Sequence, residues 1–232
     1  VTEGWAVQAL PYYVIMALLV GLFSIYFTKL NYRVKAFFYK IQHPYKKVVL
    51  GGLMLGGLVF LFPTLYGEGY ITIRSLLSGN YNGIIDNSLF SAYHDVPFAI
   101  ILFTLVTLFA KSFATLITLG AGGNGGTFAP SLILGGLIGF LFAYTVNTLG
   151  LAELNVANFI VAGMAAALSG VMHAPLTGIF LIAEITGGYI LMVPLMITSA
   201  ISYFISRSSN KYSMYTKPLA ESGDLMSHED KD

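Results

Sequence analysis

Hydrophobic positions along this chain gather into long runs separated by short polar connections. The runs extend over roughly 10–27, 48–65, 96–119, 130–146, 156–172 and 175–205. A helix needs about 20 apolar residues to cross a bilayer, so several runs are short, and the last is long enough for two pieces. Glycine or proline interrupts almost all of them, at Gly56-Gly57, Gly135-Gly136, Gly163, Pro175, Gly187-Gly188 and Pro194. The pattern predicts an all-α, polytopic membrane protein whose helices are discontinuous.

Two kinds of interruption are distinguishable. Gly52/Gly56 and Gly135/Gly139 are spaced four apart inside apolar runs, where small residues let membrane helices approach closely. Gly120–Gly126 and His173-Ala174-Pro175 fall between runs and read as breaks. Irregular backbone at membrane depth survives only where protein buries it or a polar cavity lines it.

Composition agrees with the pattern. Of 232 residues, 56% are hydrophobic and 10% charged, with a mean hydropathy of +0.75, whereas about a quarter of the residues of a soluble domain are charged. A net charge of +1 without a basic stripe or nucleic-acid motif gives no support to a nucleic-acid partner. The absence of cysteine removes disulfides, thiolate metal sites and thiol nucleophiles. The first residues, VTEGWAVQALPYY, lack an initiator Met and a basic signal-peptide segment, and the chain reads as a piece of something longer.

Charge fixes an expected orientation. Lys29, Arg33, Lys35, Lys40, Lys46 and Lys47 lie in one connection, and Arg207, Lys211 and Lys217 follow the last run, while only Arg74 and Lys111 fall between residues 48 and 206. The positive-inside rule places the 28–47 connection and the C-terminal end in the cytoplasm. An even number of crossings then separates them. The loop from about 64 to 97, with Glu68, Asp86 and Asp95, becomes external, and residues 223–232 form a cytoplasmic tail.

The stretch GAGGNGGTFAP places five glycines in Gly120–Gly126, directly before an apolar helix expected from about Phe128. The first amides of a helix have no intrahelical partners, and the macrodipole adds partial positive charge there. Upstream glycines, among them Gly123, Gly125 and Gly126, permit close backbone approach, and Pro130 suits a first turn. Where water is scarce, an anion is a natural partner for those amides. The same residues also fit a tight turn capped by the Thr127 hydroxyl. A phosphate loop is disfavoured because no Gly-Lys-Ser/Thr follows.

GGNGGTFAP followed by SLILGGLIG resembles the Gly-x-Phe-x-Pro signature of the CLC chloride channel and transporter family. VAGMAAALSGVMHAPLTGIFLIAEITGGYILMVPLMITSAIS and YSMYTKPLAESG are similar to the helices that follow in that family, and GGLMLGGLVFLFPTLYGEGY to the opening of its second half. The resemblance covers most of residues 10–222. It implies one half, the second repeat, of an inverted-repeat membrane domain, with chloride as substrate and no cofactor. Two backbone amides, here those of Thr127 and Phe128, and one tyrosine hydroxyl, here Tyr215, would hold the anion. The family's Gly-Ser-Gly-x-Pro and Gly-Lys/Arg-Glu-Gly-x-Pro loops belong to its first half, and neither motif occurs in this sequence. The gating Glu and half of the anion site would then lie on a missing N-terminal half. The resemblance also implies a homodimer formed through 175–206.

Other polar residues keep two readings. Glu184 is either an intramembrane functional carboxylate or a structural group near the Gly187-Gly188 break. Lys111 either raises the potential along an anion path or snorkels from a helix end. His173 is expected at a helix end without metal, and Asn124 as a turn residue that tolerates left-handed backbone. No catalytic constellation appears, so no enzyme is expected. The rival to anion transport is a non-transporting helical assembly module whose glycines serve packing alone.

Overall fold

The computed structural model describes residues 4–67, 69–84, 96–187 and 189–222. The expectations for Glu68, Asp86, Asp95, Gly188 and the tail 223–232 lie outside the described residues. Within them the protein is all-helical: α1 (Leu10–Tyr39), α2 (Pro44–Leu61), α3 (Tyr70–Leu77), α4 (Pro97–Gly120), α5 (Phe128–Thr148), α6 (Val156–Met172), α7 (Pro175–Ile185), α8 (Met192–Ser209) and α9 (Thr216–Ser222). Among the described residues, five helical segments are long and apolar enough to cross a membrane, while α6 and α7 are shorter. Proline stands in the first turn of α1, α2, α4 and α7, where its missing N–H costs the ladder nothing.

The centre of the fold is α6, buried along almost its whole length from Val156 to Val171. A helix apolar on every side belongs in the interior. It packs most extensively on α5 and α8, and α1 lies across both α6 and α8. Gly135, Gly139 and Gly163 make the α5–α6 crossing possible. A Cβ on Gly135 would overlap the Gly163 carbonyl oxygen, one on Gly139 the Phe159 carbonyl oxygen, and one on Gly163 the Gly135 carbonyl oxygen. The Gly135/Gly139 pair is thus a packing pair, as its spacing predicts. Around Gly52 and Gly56 no described residue lies within 4 Å of an added Cβ, and Gly51 supplies the close contact of α2, against Ala121.

Residues 28–47 are mostly helix rather than connection, with α1 running to Tyr39 and α2 starting at Pro44. No glycine or proline interrupts 28–39, and Phe27, Leu30, Asn31 and Phe38 continue its buried face while Lys29, Arg33 and Lys35 stay exposed. At 1.5 Å per residue, a 30-residue helix is about 45 Å long, which exceeds the roughly 30 Å hydrocarbon core. The run 175–205 does divide, into α7 and α8, with left-handed Gly187 ending the first piece.

Candidate functional site

The break between α4 and α5 is a Schellman ending followed by a short irregular segment. Gly122 takes φ 98°, its N–H bonds the Leu119 carbonyl, and the Gly123 N–H reaches back to the Thr118 carbonyl at 2.8 Å, the paired pattern that closes a helix. Gly122 must be left-handed, and a Cβ on Gly123 would stand 2.8 Å from the Thr118 oxygen. Asn124 does not adopt left-handed backbone; among the described non-glycine residues only His173 does. Asn124 lies in the turn as expected, and Gly122, without a Cβ, takes the left-handed conformation at lower cost.

Thr127 is the N-cap of α5, yet its hydroxyl caps nothing in the helix. It donates instead to the Tyr215 hydroxyl oxygen at 2.9 Å, and the Thr127 N–H donates to the same oxygen at 3.2 Å. The first amides of α5 are therefore left without a side-chain cap, contrary to the capped-turn reading. The dipole of a 21-residue helix points its positive end at this place.

Tyr215 arrives there because the chain turns sharply after α8. Ser213 and Thr216 exchange bonds: the Ser213 N–H donates to the Thr216 hydroxyl at 3.0 Å, and the Thr216 N–H to the Ser213 hydroxyl at 3.2 Å. Met214 is buried. Two residues on, Lys217 sets its ammonium 3.8 Å from the centre of the Tyr32 ring on α1, a cation–π contact that ties α9 to the basic end of α1.

Thr127 and Tyr215 share a cavity of about 230 Å³ with Gly125 and Gly126 from the break and with Asn31 and Lys35 from α1. A Cβ on Gly126 would sit 3.7 Å from the Tyr215 hydroxyl and 4.0 Å from the Phe128 nitrogen. The structure thus brings together Thr127, Tyr215, Gly125 and Gly126. Gly123 serves the helix ending, and Phe128 opens α5 without lining the cavity. Asn31 and Lys35 were missed by sequence reasoning, since they stand in a basic stretch that reads as a connection. The signal that could have found them is the buried helical spacing that continues past Thr28.

Lys111 does not snorkel from a helix end. It is buried within α4, and its ammonium donates to the carbonyls of Leu65 (3.2 Å) and Gly67 (2.7 Å). It secures the turn before α3, satisfying carbonyls that have left the helical ladder. Glu184 is exposed and accepts a bond from the Tyr189 hydroxyl at 2.6 Å across the α7–α8 turn, a structural role. His173 ends α6 in left-handed backbone (φ 58°), with Nε2 3.4 Å from the Ser206 hydroxyl. Among the described residues no cluster of His, Cys, Asp or Glu could hold a metal.

A family model described as "Voltage gated chloride channel" matches residues 1–207. Among curated proteins, the chain is 30% identical over 221 residues to an H(+)/Cl(-) exchange transporter ClcA of Vibrio parahaemolyticus, covering 92% of this chain and 43% of the relative. The transporter of the same name from Klebsiella pneumoniae is 34% identical over 198 residues, covering 83% and 38%. Among solved structures, a slow cyanobacterial Cl-/H+ antiporter superposes with a TM-score of 0.67 at 23% identity, covering 94% of this chain and 48% of that one. That likeness establishes the fold. The chain spans less than half the length of these relatives, which are transporters and not enzymes.

Proposed function

The chain belongs to the voltage-gated chloride channel family, and from that premise we propose that it forms one half of a transmembrane pathway for chloride or a similar small monovalent anion. The anion is held at the N-terminus of α5 by the amides of Thr127 and Phe128 and by the Tyr215 hydroxyl. The observation that carries this reading is the Tyr215 oxygen 3.2 Å from the Thr127 nitrogen, at a helix start that has no side-chain cap. The hydroxyl oxygen occupies the acceptor position that an anion takes when it binds there, and the phenol must turn from acceptor to donor. A neutral phenol binds without the trap of a fixed charge, so release stays possible. Its curated relatives favour proton-coupled exchange over a simple channel. The remaining anion ligands and the gating carboxylate fall to an inverted-repeat partner half, for which the greater length of the relatives leaves room.

The test is chloride calorimetry on the full-length protein with Tyr215→Phe. A hydrogen bond to a charged acceptor is worth about 1.5–3 kcal/mol, while the one neutral bond the anion displaces, from the Thr127 N–H to the Tyr215 oxygen, competes by about 0.5–1.5 kcal/mol. The difference, about 1 kcal/mol, corresponds to roughly fivefold weaker binding. Unchanged affinity would refute the role of Tyr215.

The same reading makes the outer faces of α7 and α8 a homodimer contact and puts both the basic end of α1 and α9 in the cytoplasm. The Lys217–Tyr32 contact supports a common side for the last two. Phe180, Met196 and Phe204 are exposed, whereas Ile182 and Leu195 are buried. In the full-length protein, to which this chain contributes no cysteine of its own, single cysteines at the exposed positions should crosslink two copies in membranes above the background of the protein without them, and those at Ile182 and Leu195 should not. Equal crosslinking at both sets, or none at either, contradicts the proposed dimer.

A further inference from the structure

The α1 wall of the anion cavity is not explained by packing. Asn31 is 1% exposed, and neither its side-chain nitrogen nor its oxygen has a hydrogen-bond partner among the described residues. A buried, unpaired amide is destabilising by itself. An apolar residue of the same size would fit a purely structural position better. Asn31 nevertheless lines the same cavity as Thr127 and Tyr215, and one helical turn further along, Lys35 lines it as well and is exposed.

We propose that α1 completes the anion site from the side opposite the helix break, with Asn31 as a direct ligand and Lys35 as an attracting charge at the mouth. This rests on the anion pathway proposed above and adds two residues to it. A side-chain amide offers two N–H donors and no fixed charge, so Asn31 holds a small anion alongside the Thr127 amide without trapping it. Lys35 acts differently. Its side chain is exposed to solvent, so it raises the local concentration of anions at the opening, an effect that salt screens. The two sit at positions i and i+4 of one helix and therefore share a face. Three elements distant in sequence thus converge on one cavity: the end of α1, the α4–α5 break and the start of α9.

The experiment is chloride calorimetry and flux on the full-length protein carrying Asn31→Leu, Lys35→Met or Tyr215→Phe. Asn31→Leu removes an unpaired buried amide, so thermal stability is expected to be kept or raised. Chloride affinity is expected to fall about tenfold or more. A merely structural Asn31 would leave affinity at the wild-type value, and that result overturns the inference. Should the leucine variant fail to fold, Asn31→Val decides by the same affinity readout, because it also removes the amide donors and adds neither bulk nor charge. Lys35→Met is expected to lower flux at low ionic strength and to match the wild type at high ionic strength; a loss independent of salt contradicts its assigned role. Tyr215→Phe separates the two levels. If it weakens binding while Asn31→Leu does not, only the α1 assignment fails. If neither weakens binding, the anion site itself is misplaced.

Discussion

Gly163→Val is expected to prevent the α5–α6 pair from closing and to leave little folded protein. A Cβ at Gly163 would overlap the Gly135 carbonyl oxygen and stand 3.2 Å from the Gly139 nitrogen. Both are backbone atoms of a helix and cannot rotate away. Overpacking that a side chain can absorb costs about 1–3 kcal/mol. Here relief requires separating α5 from the most buried helix of the fold, so the loss should exceed that range. Marginal stability of about 5–15 kcal/mol leaves little room for it. Gly56→Val on α2 is the control, since no described residue lies within 4 Å of its added Cβ. Thermal unfolding in detergent should therefore show a large drop for Gly163→Val and little change for Gly56→Val. Equal Tm values would mean that the α5–α6 crossing is looser than described.

Gly126→Val should do the opposite, preserving the fold and removing the anion. The Gly126 φ lies outside the left-handed region, so a side chain there meets no backbone strain. Its Cβ would sit 3.7 Å from the Tyr215 hydroxyl and 4.0 Å from the Phe128 nitrogen, between two of the groups proposed to hold the ion. The two methyls of valine then fill that space and screen the donors with apolar surface. Loss of two or more charge-assisted bonds at about 1.5–3 kcal/mol each amounts to at least a hundredfold weaker chloride binding. Calorimetry alongside thermal unfolding checks both halves of the expectation. Retained affinity in a folded variant would place the ion elsewhere.

Much of this fold was legible because membrane helices announce themselves by length and their breaks by glycine and proline. The break at 121–127 and the division of 175–205 follow directly from Gly122, Gly123 and Gly187. The course of α1 did not. Its last turns carry Lys29, Arg33 and Lys35, and a charge-rich segment next to an apolar run looks like a loop until its buried face is traced through Leu30, Asn31 and Phe38. Lys111 was ambiguous for a related reason. A lysine in an apolar run is understood only through its partners, here carbonyls of residues more than forty positions earlier. Likewise, four-residue glycine spacing marked Gly135/Gly139 and Gly52/Gly56 alike, yet only the first pair meets a described neighbour, because spacing shows that a helix could be approached closely and not whether a neighbour is there. Tyr215 could be singled out only by resemblance, since the Ser213–Thr216 turn that aims it leaves no pattern distinct from any other polar turn.

The most direct test of the central claim is to locate the ion itself. Crystals of the full-length protein grown in bromide should show an anomalous peak between the start of α5 and Tyr215, within hydrogen-bonding reach of the Thr127 and Phe128 nitrogens, and Gly126→Val should abolish that peak. A bromide peak that persists in Gly126→Val, or ordered bromide only at places remote from the α4–α5 break, would contradict the account.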